Sequence, residues 1–168
     1  MIIAIDGRSG AGKSTLAQTL SEKLGMSVVH MDDFFLQPHQ RTAERLSEPG
    51  GNVDYERVEA EVLEPLKREK GQITYRRFDC KTMSMQEERF IDSRKAVVVE
   101  GSYSCHPRLK KYYDLTIFLD VDYETQIQRL RERVGEERLQ MFIEKWIPLE
   151  EAYFKAYHIK ENCDIQKY

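Results

Sequence analysis

No apolar run in this 168-residue sequence approaches the roughly 20 residues of a membrane-spanning helix, so a protein of that kind is not expected. The sequence has three cysteines, odd in number and scattered, with no C-x-x-C pair. Such cysteines favour free thiols in a reducing compartment. The first residues run directly into a strand-like segment, which leaves no room for a signal peptide. We therefore expect a cytoplasmic protein.

Positive charge is not in excess. Lysine and arginine number 26 against 29 acidic residues, and the resulting net charge of −3 argues against a general electrostatic grip on nucleic acid. No internal repeat, low-complexity tract or linker divides the chain. A single domain over residues 1–168 is predicted, large enough for a core without disulfides or metal ions. The oligomeric state, a homo-oligomer included, stays open.

One short motif organises the rest of the sequence. Residues 7–14 read GRSGAGKS and match the phosphate-binding loop pattern G-x-x-x-x-G-K-[ST]. The apolar, β-branched run over residues 1–5 predicts a buried strand before the loop. Leucines at every fourth position from Leu16 to Leu24 predict a helix after it, ending at Gly25. A strand, a glycine-rich loop and a helix in this order predict binding of a nucleoside triphosphate.

The chemistry of such a loop follows from its residue types. Glycines let successive backbone N–H groups turn toward phosphate oxygens, and the helix N-terminus adds partial positive charge. The Lys13 ammonium can reach the β- and γ-phosphates, and the Ser14 hydroxyl can hold Mg²⁺. We predict ATP, with GTP as the alternative, and Mg²⁺ as cofactors. The predicted nucleotide-binding residues are Gly7, Ser9, Gly10, Ala11, Gly12, Lys13, Ser14 and Thr15.

Strands and helices alternate along the remaining chain. The segment 96–99 is apolar at every position, as in a strand buried on both faces. This alternation predicts an α/β fold of the three-layer P-loop NTPase type, with a parallel central sheet and helices on both faces. The strands predicted after the first helix are 27–31, 96–99, 115–119 and 163–165. The predicted helices are one that follows a cap at Asp54, with Val58, Val62 and Leu66 facing inward, and two more over 123–133 and 136–157.

Two segments depart from this alternation. Residues 73–78 and 89–91 are strand-like and flank a polar turn, which predicts a small β-hairpin lobe apart from the main sheet. Residues 37–52 carry prolines, glycines and charged pairs and predict a mobile surface excursion. Within it, Arg41 and Arg45 are expected to be solvated rather than to touch a substrate.

Acidic residues follow three of the predicted parallel strands. Asp32 and Asp33 follow the second strand, Glu100 the third and Asp120 the fourth. Ligands of such sheets bind beyond the C-terminal ends of the strands. Each carboxylate is therefore a candidate for holding a metal ion or for accepting a proton from an attacking hydroxyl. The alternative, a helix cap or a solvent-facing acid, is preferred for Asp120 alone.

The helix over 123–133 is rich in arginine. Arg129 and Arg133 lie four residues apart, hence on one face, and are candidates for neutralising charge on a transferring phosphoryl group. The alternative is a solvated face paired with nearby glutamates, and the sequence leaves both open. Phe142, Trp146 and Tyr153 fall at helical spacing and predict core packing rather than a base-stacking platform.

With these positions in place, the chain resembles the uridine kinase and phosphoribulokinase-like family of P-loop kinases, and it is similar to the related nicotinamide riboside kinases. The phosphate loop is shared by many families, whereas the tetrad D-[DS]-F-[FY] followed by N-x-D is far more specific. The resemblance covers most of the chain and rests on Gly7–Thr15, Asp32-Asp33-Phe34-Phe35, Asn52-Val53-Asp54, Tyr75, Val99-Glu100-Gly101 and Arg129–Arg133.

The resemblance implies a catalytic role for several residues. Asp32 corresponds to the general base that deprotonates a sugar 5′-hydroxyl. Glu100 corresponds to the acid that takes part in Mg²⁺ binding, together with Ser14. Arg129 and Arg133 correspond to lid arginines that close over the phosphates.

The resemblance also implies an acceptor site. Asp54, which on spacing alone would be a helix cap, corresponds to the acid that binds ribose hydroxyls, and Tyr75 corresponds to a hairpin tyrosine of the acceptor site. Cys80 stands where uridine-cytidine kinases carry a histidine that reads the pyrimidine, and a thiol is a poor substitute for that hydrogen bond. Residues 134–139 leave little room for the longer lid of those enzymes. These departures argue against uridine itself as the acceptor.

The sequence thus predicts a phosphotransferase that moves the γ-phosphoryl group of ATP to a hydroxyl of a nucleoside-like metabolite. One alternative is a non-enzymatic ATP-binding regulatory protein, and another is a kinase for a pantothenate-like or sugar alcohol. A guanine-specific switch is not predicted, because an N-K-x-D motif is absent from the sequence. The expected partner is a small hydroxyl acceptor, with no nucleic acid and no membrane.

Overall fold

The structure is a computed structural model that describes residues 1–68 and 71–168. Its strands are β1 (Ile2–Gly7), β2 (Ser27–His30), β3 (Gln72–Asp79), β4 (Ser84–Asp92), β5 (Val97–Glu100), β6 (Leu115–Leu119) and β7 (Ile165–Lys167). Its α-helices are α1 (Lys13–Leu24), α2 (Ala43–Ser47), α3 (Tyr55–Arg57), α4 (Glu64–Arg68), α5 (Pro107–Lys110), α6 (Tyr123–Val134), α7 (Glu136–Met141), α8 (Ile147–Tyr157) and α9 (Ile159–Asn162). Two π-helical stretches, Val58–Leu63 and Phe142–Trp146, join α3 to α4 and α7 to α8.

Five strands form a parallel sheet in the order β2-β5-β1-β6-β7. Alternate residues of the central strand β1 face two different apolar clusters. Ile2 and Ala4 belong to one cluster, and Ile3 and Ile5 belong to the other. Because both faces of the sheet are packed there, the central strands are apolar from Ile2 to Ile5 in β1 and from Val97 to Val99 in β5. The predicted three-layer fold, with a parallel sheet between helices, is confirmed.

Helix α1 packs on the sheet through Leu16, Ala17 and Leu20. The predicted contribution of Leu24 is wrong, because this residue lies in the final turn and is 68% exposed. The helix ends as predicted at Gly25, whose φ of 65° is left-handed and whose N–H donates to Ser21 O.

Strands β3 and β4 form the predicted hairpin as a separate antiparallel sheet, longer than the sequence indicated. Ile73, Tyr75 and Ile91 point inward and join the main apolar core. Phe90, on the opposite face, is 62% exposed. The hairpin is thus attached to the central sheet's core through one face only.

The segment over residues 37–52 contains a 3₁₀ turn and the short helix α2. Arg45 braces it, since its guanidinium donates to the carbonyls of Gly51 and Val53 and pairs with Glu56 at 2.7 Å. The same guanidinium lies 3.8 Å from the centre of the Tyr55 ring. The expectation of a solvated Arg45 is therefore wrong. Its planar guanidinium donates to several acceptors at once, and the sequence pattern does not reveal that these acceptors lie nearby.

Three smaller expectations have plain outcomes. Among the described residues, no helix is both long and apolar enough to cross a bilayer. Cys80, Cys105 and Cys163 are all free, as predicted. The last strand is Ile165–Lys167 rather than residues 163–165, and it extends the sheet beside β6.

The last residue but one of β1 is Asp6, whose carboxylate is fully buried. It accepts hydrogen bonds from the backbone N–H groups of Gly7, Tyr103 and Cys105 and from the Tyr153 hydroxyl, at 2.7–3.2 Å. Burial raises the pKa of Asp6 to about 6, although these four donors favour its charged form. One side chain thereby joins β1, the loop after β5 and helix α8.

His106 gives a prediction for stability against pH. Its ring stacks on Tyr55 at 4.3 Å and its Nδ1 accepts from Arg108 N–H. Burial lowers the pKa of His106 from 6.5 to about 4. The unfolded chain therefore takes up the proton first, and the stability contributed by neutral His106 is present above pH 6.5 and lost as the pH falls toward 4.

We expect the free energy of unfolding of the wild type to fall, relative to that of His106→Gln, by about 2 kcal/mol between about pH 7.5 and about pH 5. Urea unfolding at both pH values measures the difference. His39→Gln, at an exposed histidine, serves as control and should follow the wild type. A constant difference between wild type and His106→Gln would contradict the prediction.

Candidate active site

A cavity of about 1640 Å³ opens beyond the C-terminal ends of β1, β2 and β5. Most of the residues predicted for the site meet there. Gly7, Asp54 and Tyr75 are the exceptions, since they do not line it. The predicted residues that line the cavity are Ser9, Gly10, Ala11, Gly12, Lys13, Ser14, Thr15, Asp32, Cys80, Glu100, Arg129 and Arg133.

The phosphate loop begins where β1 passes closest to β6. Gly7 has a φ of 134°, and a Cβ at this position would lie 2.0 Å from Leu119 O. No side chain fits there, so the first glycine of the motif is required by the approach of two backbones. Farther into the loop, Arg8 pairs with Asp120 and with Glu151.

Asp120 braces the loop through two cations. It accepts from Arg8 and, at 2.6 Å, from the Lys160 ammonium. Asp122, not Asp120, caps α6 by accepting from Thr125 N–H. The preference for a cap or a solvent-facing role at Asp120 is therefore wrong, because the strand end is covered by charged side chains from distant parts of the chain.

Lys13 begins α1 and is 9% exposed. Its ammonium donates to Gly7 O at 2.6 Å and to Arg8 O at 3.0 Å. The positive charge thus lies inside the curve of the loop, which is where P-loops bind the β- and γ-phosphates.

Ser14 and Glu100 lie side by side. The Ser14 hydroxyl is 3.2–3.3 Å from the two Glu100 oxygens, and His30 Nδ1 is 2.5 Å from one of them. The bond to Glu100 raises the pKa of His30. Among the described residues, no group of three or more histidines, cysteines or acids is arranged to hold a metal ion. A hydroxyl and a carboxylate nevertheless fit Mg²⁺, which takes few protein oxygens and completes its shell with phosphate and water.

Asp32 lies in the 3₁₀ turn after β2, and its side chain reaches the cavity. The residue is exposed to solvent within the open cavity. Partial desolvation by the surrounding protein, together with the nearby charge of Glu100, raises the pKa of Asp32, while the charges of Lys13, His30 and Arg133 lower it. Asp32 therefore interacts electrostatically with Lys13 and Glu100, two of the groups that would hold a nucleotide and its metal ion.

Tyr75 lies behind the cavity wall and is 3% exposed. Its hydroxyl donates to Asp33 at 3.0 Å and its ring stacks on Phe34 at 5.1 Å. Arg77 and Arg89, from the two hairpin strands, lie 3.5–3.6 Å from the same Asp33 carboxylate. These contacts attach the hairpin to the turn that carries Asp32, and they engage the Tyr75 hydroxyl.

Asp54 is buried to 2% exposure and caps α3. One carboxylate oxygen accepts from Arg57 N–H at 3.0 Å, and the other accepts from Gln40 Nε2 at 2.9 Å. The Arg57 guanidinium lies 3.7 Å away. Asp54 therefore has the capping geometry that its spacing indicates, and both of its oxygens are engaged.

The arginine helix α6 has two different faces. Arg129 donates to Gly10 O at 3.0 Å, and Arg129 and Arg133 both line the cavity. Arg131 points away and pairs with Glu136 at 2.8 Å. Arg131 thus has the solvated, paired role, whereas the action of Arg129 and Arg133 on a phosphoryl group stays a prediction.

Side chains at the rim include two that were expected in the core. Phe142 and Trp146 are both half-buried and line the cavity. Phe142 also packs against a small apolar cluster, so the core assignment is wrong for Trp146 only, and Tyr153 is fully buried as predicted. Phe142 and Trp146 lie in the π-helical stretch between α7 and α8, which shifts the helical register that the sequence pattern assumes. Exposed Cys80 lies 3.7 Å from Arg41 on the opposite side.

Glu150 is a site residue that the sequence analysis did not single out. It is 4% exposed, and its carboxylate accepts from the Ser9 N–H and hydroxyl and from the Ser102 hydroxyl at 2.5–3.1 Å. It thereby joins α8 to the phosphate loop. No motif marks it, but it lies three and four residues before buried Tyr153 and Phe154, a spacing that places all three on one helix face.

Comparison with known proteins agrees with this geometry. A family model described as an AAA domain matches residues 3–145. A shikimate kinase from Persephonella marina is 26% identical over 168 residues, which cover 98% of this chain and 86% of that protein. A uridine kinase from Chlamydia pneumoniae is 30% identical over 140 residues, which cover 77% of this chain and 61% of that protein.

The fold is also found in a solved structure. A possible uridine kinase from Bacillus stearothermophilus matches 100% of this chain and 88% of its own with a TM-score of 0.74, at 23% sequence identity. That likeness concerns the fold, while the family match extends through the phosphate loop and the arginine helix. The chain therefore belongs to the AAA domain family, and its similarity to a uridine kinase and a shikimate kinase agrees with the predicted resemblance to P-loop kinases and with the predicted phosphotransferase.

Proposed function

We propose that the protein transfers the γ-phosphoryl group of ATP to a hydroxyl of a small, nucleoside-like metabolite, with Asp32 as the general base. The observation that carries the proposal is that Asp32 lines the same cavity as Lys13, Ser14 and Glu100. Phosphoryl transfer needs a base, a cation and a phosphate cradle in one volume, because its rate depends on positioning and on charge neutralisation.

The nucleotide end of the cavity consists of the loop amides and Lys13, which bind the β- and γ-phosphates. Ser14 and Glu100 would hold Mg²⁺, and the ion when bound neutralises charge on the phosphate oxygens. Two further contacts hold the loop in shape. Arg8 pairs with Asp120, and Glu150 accepts a hydrogen bond from the Ser9 hydroxyl.

Asp32 takes the proton of the acceptor hydroxyl as the new O–P bond forms and the bond from the γ-phosphorus to ADP breaks. Its raised pKa makes the carboxylate a stronger base, while the positive charges of Lys13 and Arg133 favour its ionised form. Arg129 and Arg133 stand over the same space and would neutralise the transferring group and exclude water.

A kinase for a non-nucleoside alcohol is the second candidate, and a specific observation favours it. Asp54 and Tyr75, which would bind a nucleoside, lie outside the cavity with their polar atoms engaged. The named relatives include both a uridine kinase and a shikimate kinase. An ATP-binding regulator without transfer activity is less well supported, since it would need no base in the cavity.

Replacement of the base gives the first test of this function. We expect Asp32→Asn to bind ATP normally but to lower kcat about 10²- to 10⁴-fold, because the amide has the same shape and cannot take the proton. Acceptor-dependent ADP release gives kcat, and a fluorescent ATP analogue gives the affinity.

Asp122→Asn makes the same chemical change at an exposed helix cap, where an amide caps as well as a carboxylate, and should retain full activity. Near-normal turnover by Asp32→Asn would show that this carboxylate is not the base.

The metal site gives a second test. We expect Glu100→Gln to raise the Mg²⁺ concentration needed for half-maximal activity by about 10- to 100-fold, because an amide oxygen replaces a charged ligand. A Mg²⁺ titration at saturating ATP measures this shift.

Two controls separate the ligand from its surroundings. His30→Asn removes the histidine beside Glu100 but leaves the carboxylate, and Glu124→Gln changes an exposed acid on α6. Glu124→Gln should keep the wild-type Mg²⁺ dependence, whereas His30→Asn, which removes a hydrogen-bond partner of Glu100, should shift it less than Glu100→Gln does. An unchanged dependence in Glu100→Gln would remove this residue from the metal site.

A further inference from the structure

The part of the cavity wall that follows Asp32 in the sequence combines apolar side chains with two side chains that donate hydrogen bonds. It comes mainly from residues 35–53, and its apolar part consists of Phe35, Leu36, Leu46 and Val53. Its polar side chains from this segment are Arg41 and Asn52, and no carboxylate of the segment lines the cavity. The wall therefore offers hydrogen-bond donors against an apolar surface.

Arg41 differs from the other arginines around this wall. The Arg45 guanidinium donates to the Glu56 carboxylate and to backbone carbonyls. The Arg57 guanidinium donates to the carbonyls of Asp33 and Arg76. Arg41 has no carboxylate within ion-pair distance among the described residues, and its Nη1 has no hydrogen-bond partner there. Its guanidinium is nevertheless oriented, because Nε donates to the backbone oxygen of Leu36 at 3.0 Å.

Asn52 supplies a second donor. Its Nδ2 is buried and makes no hydrogen bond of normal geometry in the described part of the chain, although the amide lies close to the Tyr103 hydroxyl. A buried amide nitrogen without a partner is rare in folded proteins, because the loss of its hydrogen bonds to water is not offset. A ligand oxygen at the cavity wall would satisfy it.

We propose that Arg41 and Asn52 form a carboxylate-binding subsite, and that the acceptor is a small hydroxy acid. The proposal rests on the proposed phosphotransfer and names its substrate class. An oriented guanidinium with free N–H groups matches the two oxygens of a carboxylate, and the Asn52 amide adds a neutral donor. The positive charge of the Arg41 guanidinium also offsets the repulsion between an acceptor's carboxylate and the Asp32 carboxylate.

A carboxylate fits this wall better than other groups. A phosphate ester carries nearly two negative charges and three acceptor oxygens, whereas this wall presents one guanidinium. A neutral nucleoside presents donors as well as acceptors, and the carboxylates that would meet its hydroxyls are engaged elsewhere. Asp54 caps α3, and Glu48 accepts from the Tyr55 hydroxyl at 3.0 Å.

Matched acceptor pairs test the class. Acceptor-dependent ADP release is measured for glycerol against D-glycerate, D-ribose against D-ribonate and D-glucose against D-gluconate, with uridine and ribose 5-phosphate as further probes. We expect release with at least one acid and a higher kcat/KM for it than for its neutral partner, for uridine and for the phosphate ester. Thermal shifts with a non-hydrolysable ATP analogue and Mg²⁺ should rank the compounds in the same order.

Variants of Arg41 assign the preference to this subsite. Arg41→Met should raise KM for the preferred acid about 10- to 100-fold, as expected for one lost charged hydrogen bond, with kcat and the KM for ATP unchanged. Arg41→Lys keeps the charge without the fork and should recover part of the affinity. Arg94→Met removes an exposed guanidinium paired with Asp92 on the hairpin and should match the wild type.

The outcomes separate this proposal from the broader one. Equal or better use of neutral acceptors or of ribose 5-phosphate, or an unchanged KM for the acid in Arg41→Met, overturns the hydroxy acid and leaves the kinase intact. ATP binding without acceptor-dependent ADP release or a thermal shift from any probe counts against both.

Discussion

The buried carboxylate of Asp6 is the contact on which the site depends. It gathers donors from the start of the phosphate loop, from Tyr103 and Cys105 after β5, and from Tyr153 on α8. Tyr103 has a φ of 75°, which is strained for a residue with a side chain, and its N–H bond to Asp6 helps to hold it there. A loop that binds phosphate must keep its amides fixed in the absence of ligand. The Asp6 carboxylate fixes the start of the loop through its hydrogen bond from the Gly7 N–H.

Charge is distributed along the cavity in a way that suits phosphoryl transfer. Lys13 and the arginines of α6 surround the space above the loop, while Asp32 and Glu100 stand at neighbouring strand ends. The cations lower the pKa of Asp32 against the effect of burial. The same cavity therefore offers a positive environment for a triphosphate and a carboxylate for the acceptor, and the donor-rich wall with Arg41 extends this logic to the acceptor itself.

Local patterns in the sequence were sufficient for the sheet, the hairpin and the phosphate loop, because strand burial and glycine spacing act over a few residues. They were not sufficient where a side chain's direction depends on distant packing. Asp54 and Tyr75 have the family's residue types, but neighbouring side chains engage them away from the cavity. Glu150 has no motif, and Trp146 reaches the cavity because a π-helical stretch shifts its face.

The most direct test of the account is a crystal structure with a non-hydrolysable ATP analogue and Mg²⁺. The account predicts the triphosphate within the loop beside Lys13, the metal ion on Ser14 and Glu100, and open space for a second molecule between the γ-phosphate and Asp32. Phosphates bound elsewhere, or an Asp32 carboxylate turned away from the γ-phosphate with no room for an acceptor, would contradict it.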